Sequence, residues 1–145
     1  MASAPRELWG DLAATAFVEA SALFRSLDAE ARRDLLHLAQ RVDFGPGELA
    51  SGEGDEAFLL LVDGSASVRA GETEVAHLDR GATFGEGRVL GGGRALSLVA
   101  LTDLAVVSFP APMIAVLAER FPKMKKLLEA VMGAREREAA ARLPG

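Results

Sequence analysis

Glycine turns divide the middle of the chain, and their spacing constrains the fold more than any other feature of the sequence. Between Val42 and Phe109 the chain consists of short runs rich in Val, Leu and Phe, interrupted by turns such as Gly45-Pro46-Gly47 and Asp63-Gly64. Short apolar runs bounded by glycine and proline are typical of β-strands. Turns this frequent, with strands this short, predict a compact antiparallel barrel or jelly roll.

Helical periodicity flanks this segment on both sides. In residues 6–41 apolar side chains recur at helical spacing, and Asp28 is placed to cap the helix that follows. One predicted apolar face consists of Ala31, Leu35, Leu38 and Val42. Beyond the β segment, Pro112 and Pro122 each fit the first turn of a helix. The predicted fold class is mainly β with flanking helices, an antiparallel jelly-roll β-barrel between N-terminal and C-terminal helices.

The size of the chain indicates one core. With 145 residues, 50% of them hydrophobic, a single domain is expected. We predict a helical extension over residues 1–22, in which Trp9 packs the first helix onto the barrel, and a domain over residues 23–145. The chain has no cysteine, and His37 and His77 lack the spacing of metal ligands, so neither a disulfide nor a metal site is predicted.

Charge and hydropathy argue against two classes of partner. A net charge of -5 is unsuited to neutralising nucleic acid phosphates. The N-terminus does not have the pattern of a signal peptide, and the longest strongly apolar stretch, residues 57–62, is too short to span a bilayer. These features predict a cytoplasmic protein that binds neither DNA nor membranes.

A carboxylate and a guanidinium bracket a glycine-rich turn in residues 84–97. The fork of Arg94 can meet two oxygens of a phosphate, and the carboxylate of Glu86, which only accepts hydrogen bonds, suits a hydroxyl donor. Gly85 and Gly87 permit close approach of the backbone to a ligand. The pattern predicts a site for a small ligand that carries hydroxyls and a phosphate. The alternative is a surface ion pair across a hairpin, which contributes little.

The order Phe84-Gly85-Glu86, a short loop, Arg94-Ala95 and then Ser97 resembles the phosphate-binding cassette of the cyclic nucleotide-binding domain family, of the catabolite activator protein and protein kinase A regulatory subunit type. The resemblance covers roughly residues 23–143 and includes the turns of residues 44–55. It implies that Glu86 takes the ribose and Arg94 the cyclic phosphate. The remaining implied ligand contacts are Phe84, Gly85, Gly87, Arg88, Ala95 and Ser97.

The resemblance also implies a function. It points to a stand-alone signalling module with no catalytic residue and no cofactor, which binds cyclic nucleotide, moves its C-terminal helices and acts on a separate protein effector. Ala95 stands where many cAMP binders have Ala and many cGMP binders have Thr or Ser, which favours cAMP over cGMP. Regulators of this type carry a helix-turn-helix after the final helix, and the few residues left here predict none.

The sequence is compatible with a second function and lacks the residues for a third. One is a ligand-free, degenerate fold of this family that serves as a protein interaction or dimerisation module through the stripe from Met124 to Met132, and a homodimer through the C-terminal helix is compatible with either. The other is a metal-dependent barrel enzyme, for which the sequence lacks clustered His and Glu ligands.

The run Gly91-Gly92-Gly93 and the last helix carry further expectations. Three glycines are costly to order, so we expect them to oppose a short helix in this loop and to form a plain flexible turn that is mobile without ligand. Apolar side chains of the last helix are more often core than ligand lid, and the same side chains are the candidate lid contacts: Phe121, Met124, Leu127, Leu128 and Met132.

Overall fold

Two antiparallel sheets form the centre of the molecule in the computed structural model, which describes residues 5–8 and 11–144. Trp9 lies outside these ranges. The first sheet has the order β1 (Arg6–Glu7), β2 (Gln40–Phe44), β9 (Leu104–Pro110), β4 (Ala57–Asp63) and β7 (Thr83–Phe84). The second has the order β3 (Leu49–Ser51), β8 (Ser97–Ala100), β5 (Ala66–Ala70) and β6 (Thr73–Leu78). The predicted antiparallel barrel is confirmed.

Helices flank the sheets at both ends of the chain, as predicted. The helices are α1 (Leu12–Ala20), α2 (Ala22–Arg25), α3 (Ala29–Leu38), α4 (Glu86–Leu90), α5 (Ala111–Arg120) and α6 (Pro122–Arg142). The carboxylate of Asp28 accepts a hydrogen bond of 2.8 Å from the backbone N–H of Ala31, which confirms the predicted cap of α3. Pro112 and Pro122 both lie in the first turn of their helices, also as predicted.

The N-terminal region is less helical than its periodicity predicts. Residues 6 and 7 form β1, which pairs with β2, and α3 ends at Leu38. The prediction that Leu38 and Val42 extend the buried helical face is therefore wrong: Leu38 is 47% exposed, and Val42 lies in β2. The reason is tertiary pairing, because β2 runs beside β9 over all five of its residues and this overrides local helical preference.

The segment before residue 23 packs onto the domain. Leu8, Ala14 and Val18 are buried in the same apolar cluster as Phe24. The carboxylate of Asp11 caps α1 by accepting from the backbone N–H of Ala14, and it also pairs with Arg41 at 2.7 Å. The domain boundary at residue 22 stays a prediction.

Strands β4 and β9 are buried on both faces. In β4, Phe58, Leu60 and Val62 belong to an apolar cluster shared with the helices, whereas Leu59 and Leu61 belong to the cluster inside the barrel. Strand β9 alternates in the same way. A strand covered on both sides needs apolar residues at every position, which explains the unbroken run of residues 57–62.

Helix α6 lies along the domain over most of its length. Met124 and Leu128 are buried in the cluster shared with the helices, and Ala139 is buried in the barrel cluster. The core role expected for Met124 and Leu128 is confirmed. Because the chain's own domain covers these parts of the stripe, a homodimer through this face of α6 stays a prediction and would require the helix to move.

Candidate functional site

The predicted cassette begins with a strand and with Gly85, a position at which no other residue type fits. Strand β7 pairs with β4 and places Phe84 in the barrel cluster. Gly85 follows with a φ of 107°, and a Cβ at this position would lie 2.8 Å from the carbonyl oxygen of Ala57. Only glycine satisfies both conditions. The turn directs the chain into α4, whose first residue is Glu86.

Glu86 is a buried carboxylate with protein partners on both oxygens. Oε2 accepts from the hydroxyl of Thr83 at 2.6 Å, and Oε1 accepts from Nη1 of Arg135 in α6 at 3.2 Å. The side chain of Glu86 is 4% exposed and that of Arg135 is 11% exposed. The same Arg135 nitrogen donates to the carbonyl of Thr83 at 3.0 Å. A buried carboxylate needs such partners, and Thr83 and Arg135 supply one to each oxygen of Glu86.

The triple glycine has a defined backbone. Gly91, Gly92 and Gly93 have φ values of 81°, 83° and 77°, a region that other residues rarely adopt. The expectation that they oppose a short helix in this loop is wrong, since α4 forms before them and ends at Leu90. The glycines follow the helix and return the chain to β8. Whether the loop is mobile without ligand stays a prediction.

Arg94 is paired with the next residue of α6. Its backbone N–H donates to Oε1 of Glu136 and its Nε donates to Oε2, both at 3.2 Å. The side chains are 38% and 35% exposed, so this ion pair is more open to solvent than that of Glu86. Two N–H donors of one residue therefore hold two oxygens of one anionic group.

The two predicted ligand-binding side chains line one cavity. Its volume is about 300 Å³, and its walls are residues 84–88, residues 92–96 and three side chains of α6, Met132, Arg135 and Glu136. This volume is at the lower end of the range for small-molecule sites. Among the predicted site residues, Phe84, Gly85, Glu86, Gly87, Arg88, Arg94 and Ala95 all lie on its wall.

Arg88 uses its guanidinium for bonds within the protein, and Ser97 does not line the cavity. Nη1 of Arg88 donates to the Ser51 hydroxyl and the Ala57 carbonyl, and Nη2 donates to the Gly52 carbonyl, at 2.6, 2.9 and 2.9 Å. Burial lowers the pKa of this guanidinium, while nearby carboxylates oppose the shift. Arg88 thus ties α4 to the end of β3 and the start of β4. Ser97 opens β8 opposite Arg69 and is not among the described residues that line the cavity.

Sequence reasoning missed the charged residues of α6 that reach the cavity. Met132, a candidate ligand contact, lines the wall, but the sequence predicted no role for Arg135 and Glu136. A signal was present in the spacing. Arg135 and Ala139 continue the buried positions of Met124 and Leu128 along one face of the helix.

A second cavity, of about 380 Å³, lies beneath α6 on the other side of Arg135. Its walls are mostly apolar and come from α1, α2, the segment before β7 and α6, including Phe17, Leu60, Leu127 and Val131. In residues 5–8 and 11–144, no group of three His, Asp or Glu side chains is arranged to hold a metal ion. In the same residues, every helix is too short or too polar to cross a membrane.

Solved structures share this fold at low sequence identity. The chain is similar to cAMP-bound PfPKA-R (TM-score 0.71, 18% identity, covering 90% of this chain and 49% of that one). It is also similar to the sensor domain of the transcriptional regulator DNR from Pseudomonas aeruginosa (TM-score 0.67, 18% identity, covering 83% of this chain and 91% of that one). A third similar structure is the regulatory subunit of a cAMP-independent protein kinase A from Trypanosoma brucei (TM-score 0.64, 18% identity, covering 77% of this chain and 44% of that one).

These similarities show that the chain has the fold of cyclic nucleotide-binding domains, as the sequence resemblance implied. The chain spans about half the length of the two kinase regulatory subunits. No family model matches the sequence, and no curated protein is significantly similar to it.

Proposed function

We propose that this chain is a signalling module that binds a cyclic nucleotide, preferentially cAMP, and changes the position of its C-terminal helices when it does so. The observation that carries the proposal is the shared cavity: Glu86 and Arg94, separated by the rest of α4 and three glycines, line the same space. An acceptor for ribose hydroxyls and a fork for a phosphate then lie on one small wall.

Arg94 has the donors that a cyclic phosphate requires. Its backbone N–H and Nε already hold both oxygens of a carboxylate, so they are oriented to bind an anion with two accessible oxygens. A 3′,5′-cyclic phosphate presents such a pair of oxygens. The carboxylate of Glu86 has more lone pairs than its two present bonds use, and a ribose hydroxyl can donate to one of them.

The preference for cAMP is based on Ala95. This residue lines the cavity and carries no hydroxyl, so it offers no side-chain hydrogen bond to the exocyclic amino group of guanine. The apolar methyl of Met132, which also lines the cavity, can contact either base. A cytoplasmic location, a separate protein effector and a homodimer stay predictions of the sequence.

Thermal unfolding with and without nucleotide tests the proposal. We expect cAMP to raise the melting temperature, with a stabilisation of about 2.7 kcal/mol when its concentration is about 100 times Kd. Arg94→Ala should remove this shift. Glu86→Gln is preferred to Glu86→Ala because it keeps an acceptor near the buried Arg135, and it should weaken binding.

The matched control is Arg33→Ala, an exposed arginine of α3 whose loss removes the same charge. Its cAMP-induced shift should equal that of the unsubstituted protein. If titration calorimetry with cAMP, cGMP and cyclic dinucleotides at millimolar concentration detects no heat of binding, the proposed nucleotide-binding function is contradicted.

The second candidate function is a ligand-free fold used as an interaction or dimerisation module. The observation that favours it is that Arg135 and Glu136 already occupy Glu86 and Arg94. One structure of similar fold is the regulatory subunit of a kinase described as cAMP-independent. Absence of nucleotide binding in the calorimetric test would leave this candidate.

A further inference from the structure

Two consecutive residues of α6 present the cavity with charges opposite to those of its wall. Arg135 donates to Glu86, and Glu136 accepts from Arg94. A cyclic nucleotide would bind Glu86 and Arg94 with groups of the same kind: its hydroxyls would donate to the carboxylate, and its phosphate would pair with the guanidinium. The helix therefore makes the interactions that a ligand would make.

We propose that Glu136, held beside Arg94 by the neighbouring pair of Arg135 and Glu86, is an intramolecular competitor of the ligand and keeps α6 closed on the cavity until a phosphate displaces it. The inference rests on the proposed function and adds a direction to it: the C-terminal half of α6 is released by ligand. Glu136 uses the backbone N–H and Nε of Arg94, the two donors that orient an anion there.

Simultaneous binding of Glu136 and a phosphate is unfavourable. A phosphate that used the other guanidinium nitrogens of Arg94 would lie beside the Glu136 carboxylate, and two anions within a few ångströms repel each other. The closed form thus has reduced affinity, and the apparent Kd equals the intrinsic Kd divided by the fraction of molecules in which Glu136 has moved away.

The two halves of α6 pack on different apolar clusters, so the second half can move, with Ala139 leaving the barrel cluster, while the first half stays in place. Met124 and Leu128 anchor the first half in the core. Gly133, a poor helix former, separates them from Arg135. The apolar cavity beneath Leu127 and Val131 leaves this middle section incompletely packed.

Glu136→Gln tests the inference, with Glu138→Gln as the matched control. Both substitutions remove one negative charge from α6, but Glu138 is exposed and is not among the described residues lining the cavity. Titration calorimetry with cAMP should give binding about two- to fivefold tighter for Glu136→Gln than for the unsubstituted protein, the range expected from losing a half-exposed ion pair. Glu138→Gln should bind with unchanged affinity.

Hydrogen exchange gives a second readout. Without ligand, residues 134–143 should exchange faster in Glu136→Gln than in Glu138→Gln. In the unsubstituted protein, cAMP should speed exchange in residues 134–143 and slow it in residues 85–94.

The outcomes separate the inference from the proposed function. If the unsubstituted protein binds cAMP but Glu136→Gln binds equally or more weakly, or if cAMP slows exchange in residues 134–143, the competitor is overturned and the nucleotide site survives. If Glu136→Gln binds cAMP and the unsubstituted protein does not, both the competitor and the nucleotide site are supported. If no variant binds cyclic nucleotide, both are overturned.

Discussion

At the scale of single residues, position 95 tests which base the cavity prefers. Ala95 lines the wall without a hydroxyl. Under the proposed function, Ala95→Thr adds an acceptor for the guanine amino group. One such hydrogen bond should raise the affinity for cGMP relative to cAMP by about two- to tenfold. Ala95→Val, which has the shape of Thr without its oxygen, is the control in the same competition assay, and an equal change in both variants would contradict the hydrogen-bond explanation.

Substitutions at Gly85 and Gly92 distinguish two energetic costs of replacing a glycine in the cassette: backbone strain and a steric clash. Both have positive φ, but a Cβ at position 92 meets nothing within 4 Å, whereas one at position 85 lies 2.8 Å from a backbone oxygen. Gly92→Ala should lower the free energy of unfolding by about 1 kcal/mol, the cost of the left-handed backbone alone. Gly85→Ala should lose clearly more in the same urea titration. Equal losses would mean that β4 shifts to accept the methyl group.

The residues of the site differ in how far sequence can predict them. Glu86 and Arg94 lie close together along the chain with a recognisable turn between them, so a shared site could be predicted. The role of Arg88 could not, because its acceptors are Ser51 and the carbonyls of Gly52 and Ala57, which only the fold brings near. Every residue has a backbone carbonyl, so the sequence does not show which carbonyls accept a hydrogen bond from a side chain.

At the scale of elements, Gly133 governs how firmly the two halves of α6 are joined. A Cβ at this position would lie 3.4 Å from Nη1 of Arg137, the end of an exposed and flexible side chain. Gly133→Ala should therefore raise the free energy of unfolding by about 0.5 to 1 kcal/mol and slow hydrogen exchange in residues 134–142. Ala134→Gly, at an exposed neighbouring position, should act in the opposite direction. A destabilised Gly133→Ala protein would show that the helix needs the glycine for close packing.

Local pattern and tertiary context explain which elements were predicted. The strand over residues 57–63 is marked by apolar residues between turns, and α3 by its aspartate cap. The helical period of residues 39–42 is a poor guide, because pairing with β9 decides their conformation. The tail of α6 contains mostly charged residues and alanines, which are typical of a solvated helix, so its contact with the cavity depends on the fold rather than on composition.

At the scale of the whole molecule, the alternation of β4 joins the helical layer to the barrel. Leu60 and Leu61 are neighbours and fully buried, yet they belong to different apolar clusters. Because one strand contributes to both clusters, neither can lose its packing while the other keeps its own. The chain should unfold as one cooperative unit.

Leu60→Ala and Leu61→Ala test this coupling. Each removes a buried leucine and should lower the free energy of unfolding by about 2 to 5 kcal/mol. In each variant, thermal unfolding followed by far-UV circular dichroism, which reports chiefly the helices, should coincide with the loss of the NMR methyl signals of Val75 inside the barrel. A Leu60→Ala protein whose helices melt first while Val75 stays ordered would show that the two clusters are independent.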